Sequence, residues 1–575
     1  MRRIIGILLI LVLTVIAPAA KQVRDGLWQS YQGYLSPYLT PVPRGQARLP
    51  MAPRVVVVLV RALRLAESRQ MPTLNNLRER GADVTLEVPP PTYHLPAAFG
   101  LLSGARPEVH GITANTRMHQ RPDTVIDALQ TITRSITIVG EDNWADWFEG
   151  AAASSVTSAA PAPTGLHIEQ PDAPDAATRD GQAIELALTA MRDPNQPASF
   201  VLIELQLLET VAMTDPASYT TAAAATDFRI KTLVDALDFN TSALVIVSDR
   251  GLTNVFHDGG GEADVAHVPL VMTGAGIAPH TQAIAPQTSL APTLSALAGA
   301  PAPMQAESGP VFDVLAASPQ LPLISAQSIT TFYEQWSEVM RQPRFASELL
   351  RRYQDALAGG DTVAYLKWQT ELDAQVSATI AARLAAERAS RLPFVIGAIL
   401  MLVLLTGLFL NDRPFQPLGG LAAYTVLWLA LFFLVRGDHL TLSLFPSADP
   451  TDALGELARN SAALMAAVSI IVTLFTVRHE DALDALTTVL CTLGLIALLN
   501  AAVFAWFYWQ WGDAWSWTLP DSTALVLAMT SLTQLGAFLV PLVPALPDLP
   551  LTLPITVLSA LVFGLLRGRP RRGES

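Results

Sequence analysis

The sequence predicts an α/β domain built on a doubly wound, mostly parallel sheet, followed by a helical hairpin and a multi-span α-helical membrane region. Three observations predict it. Between Arg54 and about Leu315, short β-rich runs alternate with helical stretches, the pattern of parallel strands joined by crossover helices. Between Ile324 and Arg391, Ala, Leu and charged residues recur at helical spacing. From Pro393 onward, apolar stretches long enough to cross a bilayer follow one another. The 575 residues are 51% hydrophobic and 15% charged, too long for one ordinary domain and too apolar to be wholly soluble.

The chain opens with Met1, Arg2 and Arg3, then an apolar run from Ile4 to Ala20 that ends in small residues. A basic leader before such a run reads as a signal peptide or a signal anchor (1–20), and we expect an uncleaved anchor. Either way the arginines stay cytoplasmic and the next domain is exported. Residues 21–53 form a polar linker punctuated by Tyr, Trp and Pro.

The exported domain is expected over 54–318. Val55 to Val60 is an unbroken apolar, mostly β-branched run, as a central strand covered on both faces requires. Ser135–Val139, Phe200–Leu205, Ala243–Val247 and Pro269–Met272 supply further strands. Pro171–Met191 and Tyr219–Leu237 supply covering helices. Met71–Gly81 reads as a short helix whose terminal glycine suits a left-handed cap. Ala151–Thr164 is a low-complexity surface loop.

Residues 319–392 are expected to form a helical hairpin stalk, Ile324–Ala358 and Asp361–Arg391, broken at Gly359 and Gly360. The membrane region, 393–568, holds about six spans: Pro393–Leu410, Leu418–Val435, Ser461–Val477, Leu486–Tyr508, Thr523–Val543 and Leu551–Leu566. A basic tail, 569–575, closes the chain. Trp506, Trp509, Trp511, Trp515 and Trp517 cluster at one span end, as an interfacial belt does. Acidic residues sit in the loops, so no intramembrane relay is expected. The net charge of −13 excludes a phosphate-tracking nucleic-acid binder. The single cysteine, Cys491, excludes an intrachain disulfide and a cysteine-based metal site.

The chemistry-bearing stretch is Pro89 to Asn115. It contains Pro96, two residues after His94, and a close made of Ser103, Gly104, Pro107, His110, Gly111 and Ile112. Upstream lies Pro72 to Ala82, a PxLxxLxxxGA-like stretch. Downstream lie Ser248, Asp249, Arg250 and Gly251, then Val268 to Ile277, then Ala291 to Leu294. In this order these motifs resemble the alkaline phosphatase superfamily, most nearly its type I phosphodiesterase and nucleotide pyrophosphatase branch.

The resemblance implies a domain that holds two divalent metals, zinc or manganese, through carboxylates and imidazoles, and attacks phosphodiesters with a Thr or Ser hydroxyl. At the first ligand position, after the first strand, this chain has Arg61. At the nucleophile position it has His94. The next ligand pair falls on Glu209 to Met213, the following one on Asp249 and Arg250, and the last histidine on His257. Asp249 and His257 keep ligand-type side chains, and Glu209 is a tolerable stand-in for aspartate. A guanidinium stays protonated and only donates, so it cannot ligate a cation. Arg61 and Arg250 would therefore pair with Asp249 and Glu209 in place of the metals, or bind an anionic head group as an Arg fork does. His94 is either a phosphohistidine nucleophile or a hydrogen-bonding and packing residue. Thr92 and His110 have turn roles.

The expected function follows from these substitutions. The chain reads as a membrane-anchored, multi-pass plasma-membrane protein with its large domain on the extracytoplasmic side, a degenerate metal site, no cofactor, and a binding or scaffold role. Its partners would be the bilayer and an anionic lipid, a glycan head group or a protein. The alternative is an active metal-dependent phosphodiesterase or transferase, since the order of parts is similar to the membrane-bound ethanolamine-phosphate transferases. A transport role is a third class, set back by the lack of buried polar residues in the spans.

Overall fold

The computed structural model describes residues 2–39, 46–116, 118, 120–132, 134–141, 143–148, 165–318, 321–341, 351, 355, 362–410, 415–437, 439–445, 450–476 and 482–537. The chain divides into two compact units, one of residues 32–380 with 516–518, the other of residues 1–31, 381–515 and 519–575.

The first unit is built on an eight-stranded sheet with the order β4-β3-β5-β1-β6-β7-β2-β8. The strands are β1 (Arg54–Val60), β2 (Ala82–Glu87), β3 (Ile136–Val139), β4 (Leu166–Glu169), β5 (Phe200–Leu205), β6 (Ser242–Ser248), β7 (His267–Gly274) and β8 (Thr281–Pro286). β7 runs antiparallel to both of its neighbours, and the other pairings are parallel.

The unbroken apolar runs follow from the two-sided core. Val55, Val57 and Leu59 of β1 join one buried cluster, with Phe99, Leu129 and Leu294. Val56, Val58 and Val60 join another, with Leu74, Ile184 and Leu233. Side chains of a strand alternate between faces, so both registers must be apolar when helices cover both. Each such side chain contributes about 1.5–3 kcal/mol on burial.

Three strands escape a reading by apolar runs. β4 and β8 are edge strands that alternate between partly covered and exposed residues. β2 carries Asp83, whose carboxylate is buried against Arg78 at 3.1 Å and also pairs with Arg69. Gly81 corrects the expected left-handed cap. Its φ is −127°, and the requirement for glycine there is spatial, because a Cβ would stand 2.0 Å from the Met272 carbonyl oxygen. Left-handed caps occur at Gly104, Gly111 and Gly299, at φ 70°, 79° and 76°.

The expected hairpin is altered. Helix Leu321–Val339 is present, but the second stalk helix and the first expected span are one 49-residue helix, Thr362–Leu410, with Pro393 inside it. The Ala-, Leu- and Arg-rich sequence around that proline favours helix strongly enough to carry it across. The Gly359–Gly360 break and the Ala151–Thr164 loop lie outside the described residues.

In the second unit, four helices are long and apolar enough to cross a membrane: Ala374–Gly407, Phe415–Val435, Thr451–Thr476 and Asp484–Trp511. The fifth expected span is described as a helix through Gly536. The sixth, with the basic tail, lies outside the described residues. Helix Arg2–Gln32 runs unbroken through Ala17–Ala20, and buries Ala17, Ala20, Leu27, Trp28 and Tyr31. Polar residues are buried in these helices, contrary to expectation, including Ser469, Thr473, Thr492 and Asn500. They are satisfied by their own helices: Ser469 donates to the Met465 carbonyl at 2.7 Å, Thr473 to Ser469 at 2.7 Å and Asn500 to Ile496 at 3.0 Å. Among the described residues, no Asp, Glu, Lys or Arg of the four long apolar helices is buried.

Candidate functional site

The site is assembled by strand register. Val60 of β1 pairs with Leu205 of β5 on one side and Ser248 of β6 on the other. The next residues, Arg61, Gln206 and Asp249, therefore emerge side by side at the carboxyl end of the parallel strands, the edge where open α/β sheets bind ligands. The Arg61 N–H extends the ladder by donating to the Leu205 carbonyl at 2.9 Å. Ala62 then takes a left-handed conformation, φ 58°. Its N–H donates to Asp249 Oδ1 at 2.9 Å, and its carbonyl accepts from the Tyr219 hydroxyl at 2.6 Å.

Two guanidinium groups fill this edge. Arg250 is fully buried, with Nη1 on Asp249, Nη2 on Glu209, and Nε on Asp258 at 2.5 Å. Arg61 places Nη1 3.0 Å from Glu141 and 3.7 Å from Glu204, and its Nη2 on the other oxygen of Glu209. Glu204 stands on β5, and its Oε2 accepts from the Trp144 indole at 2.8 Å and the Glu141 N–H at 3.2 Å. The rigid planar fork of Arg250 suits this arrangement, since each of its nitrogens meets a separate carboxylate.

His94 is the first residue of helix His94–Ser103. Its Nδ1 lies 2.8 Å from Asp249 Oδ2, and its Nε2 lies 3.5 Å from Glu204 Oε1. An ionised carboxylate only accepts, so Nδ1 carries a proton directed at Asp249. The Trp147 ring packs 6.4 Å from the imidazole and 5.3 Å from Phe99, closing the apolar side.

The electrostatics follow from this pairing. Burial alone would raise the Asp249 carboxyl, but Arg250 and His94 outweigh it and hold it well below the usual carboxylate range. Glu209 is lowered in the same way, burial being overcome by Arg250 and Arg61. Asp258 is raised, because there burial prevails over Arg250. Both arginines are raised despite burial, Arg61 by Glu204 and Glu209, Arg250 by Asp249 and Asp258.

The structure thus brings together Arg61, His94, Glu209, Asp249 and Arg250. It places His257 differently. That residue is exposed, and the side chain of this loop that reaches Arg250 is its neighbour Asp258. Asp258, Glu204 and Glu141 were missed by sequence reasoning. Glu204 left a signal, a carboxylate inside an otherwise apolar strand. Thr92, expected in a turn role, ties its loop to a distant one: its hydroxyl accepts from the Gly259 N–H at 3.0 Å and donates to the Gly260 carbonyl at 2.7 Å. His110 is buried, with Nδ1 accepting from the Ile112 N–H at 3.1 Å.

The donor set does not fit two divalent metals. Among the described residues, no group of three or more His, Cys, Asp or Glu side chains is placed to hold a metal ion. The carboxylates of Glu209 and Asp249 direct oxygens at guanidinium N–H groups, and a cation there would meet fixed positive charge.

The type I phosphodiesterase / nucleotide pyrophosphatase family model matches residues 55–268. Among solved structures, mouse ectonucleotide pyrophosphatase / phosphodiesterase 5 is 12% identical, with 43% of this chain and 96% of that one covered and a TM-score of 0.34. An alkaline phosphatase superfamily protein from Vibrio parahaemolyticus is 14% identical, covering 49% and 75%, TM-score 0.34. A lipoteichoic acid synthase from Listeria monocytogenes is 13% identical, covering 49% and 78%, TM-score 0.33. No curated protein matches the chain. The α/β part of the chain, over residues 55–268, is similar to the type I phosphodiesterase / nucleotide pyrophosphatase family.

Proposed function

We propose that the chain is a membrane-anchored protein of the cell envelope whose alkaline-phosphatase-like domain is a non-catalytic binding or scaffold module. The observation that carries this reading is the carboxylate of Glu209 shared between Arg61 and Arg250. The position where a metal would polarise a phosphoryl group is occupied by side chains of the chain itself. His94, at the nucleophile position, is buried with Nδ1 on Asp249 and Nε2 near Glu204. The domain lies on the extracytoplasmic side of the plasma membrane in this reading, supported by the basic leader before the first helix.

The geometry also bears on the partner. A phosphate or sulfate head group at the arginine pair would have to displace carboxylates: five of them, Glu141, Glu204, Glu209, Asp249 and Asp258, surround two guanidinium groups. A glycan or protein partner engaged outside this cluster is the better match. The test is phosphodiester turnover by the purified full chain, with added zinc or manganese and with chelator. No turnover above a buffer control is expected under either condition, and metal-dependent turnover would replace this reading with a transferase of the ethanolamine-phosphate type, which the order of parts along the chain favours.

A further inference from the structure

We infer that Arg24, Trp28 and Trp515 form a site in the membrane unit for the phosphate of a bilayer phospholipid. The site is separate from the arginine cluster of the α/β unit and does not depend on the non-catalytic reading. Arg24, Trp28 and Tyr31 stand at i, i+4 and i+7 of helix Arg2–Gln32 and so share one face. Trp28 and Tyr31 are buried. Their rings stack at 5.7 Å, Trp28 meets Phe445 at 6.2 Å, and Tyr31 meets Trp515 edge-on at 6.1 Å.

This aromatic packing leaves two donors over. The indole N–H groups of Trp28 and Trp515 are both buried, and neither finds an acceptor among the described residues. An indole only donates, and a buried donor without a partner is a net cost, so the missing group is an acceptor. Arg24 sets the charge of that acceptor. Its largely buried guanidinium holds Asp25 Oδ1 through Nε at 2.9 Å and Nη2 at 2.7 Å, and its Nη1 reaches the Thr533 hydroxyl at 3.5 Å. These contacts leave further N–H groups of the guanidinium to donate. Lys21 also lies 3.6 Å from Asp25, so two cations share one carboxylate. Indole donors beside surplus positive charge suit an anionic oxygen. Depth selects its source. At a rise of about 1.5 Å per residue, Arg24 and Trp28 stand about 6 and 12 Å beyond the apolar run that ends at Ala20, the level of lipid head groups. Trp515 follows shortly after the apolar helix Asp484–Trp511. Phospholipid phosphates are the anions concentrated at that level.

The experiment uses the full chain in detergent and native mass spectrometry, with dioleoylphosphatidylglycerol as the probe and dioleoylglycerol and inorganic phosphate as controls. Wild type should retain one probe molecule after the loosely held lipids are stripped. Trp28→Phe combined with Trp515→Phe keeps the rings and removes both N–H groups, and Arg24→Gln removes the charge. Each should weaken binding of that molecule about tenfold. Dioleoylglycerol, which lacks the phosphate, should bind at least as weakly, and inorganic phosphate should not displace the probe. Unchanged affinity in either variant would show that water satisfies the indoles or that the charge is idle. Equal binding of dioleoylglycerol would show that acyl chains alone are held, and displacement by inorganic phosphate at equal concentration would assign the site to the free anion. Each of these outcomes would overturn the inference. The two variants are independent, so failure of one to fold leaves the other to decide.

Discussion

Arg61 and Arg250, from the ends of two adjacent parallel strands, hold the two oxygens of one carboxylate, that of Glu209. Like charges this close tolerate each other only because Glu209 stands between them and Asp249, Glu204 and Asp258 lie around them. A buried cluster of this kind is a weak source of net stability compared with apolar packing, yet costly to break, because each deletion strands a charge in the interior.

Glu209→Ala should therefore destabilise the domain by about 3–5 kcal/mol. Glu141→Ala, which removes a partly exposed partner of the same arginine, should cost about 0–1 kcal/mol. Chemical denaturation of both variants measures the contrast, and equal losses would contradict the bridging role of Glu209.

His110 should make the protein acid-sensitive. Burial pushes its imidazole down to about 3, so the folded state resists protonation that the unfolded chain accepts near 6.5. The unfolded state binds more protons in this window, hence stability is full above about 6.5 and falls as pH drops toward 3, by at most about 5 kcal/mol. Unfolding midpoints at pH 7, 6 and 5 should decline in wild type, and less steeply in His110→Asn. Parallel declines in the two proteins would assign the acid sensitivity elsewhere.

Gly259→Ala should damage the site from a distance. Gly259 has φ 98°, and a Cβ there would stand 2.2 Å from the Tyr93 ring. Tyr93 precedes His94, and Gly259 follows Asp258, so the clash would pry apart the two loops that supply them. A loss of about 2–4 kcal/mol is expected, read as a lowered denaturation midpoint; an unchanged midpoint would show that the two loops separate freely.

His94→Thr, which places a hydroxyl where the resemblance expects a nucleophile, should confer no phosphodiester turnover while Arg61 and Arg250 remain. A hydroxyl needs a metal or a base to attack, and its neighbours here are guanidinium-paired carboxylates. Turnover by this single variant, measured with and without zinc, would show that the arginines do not silence the site.

Much of the fold was legible in the residues. The Val55–Val60 run announced a strand covered on both faces, because only such a strand is apolar in both registers. β2, β4 and β8 were not legible: the two edge strands alternate polar with apolar residues over a short length, and β2 hides a buried aspartate whose partners, Arg69 and Arg78, come from preceding segments. Pro393 suggested a boundary that the helix ignores.

The division at the site is sharper. The sequence alone determined that arginines stand at Arg61 and Arg250 and histidine at His94, since these follow from motifs a few residues long. Only the tertiary structure decided that Asp258 rather than His257 meets Arg250, that Glu204 turns toward His94, and that Glu209 bridges both guanidinium groups. The reason is physical: the site joins segments far apart in the chain, Ala62 and Asp249 being 187 positions apart, and it is the register of β5, β1 and β6 that sets their ends side by side.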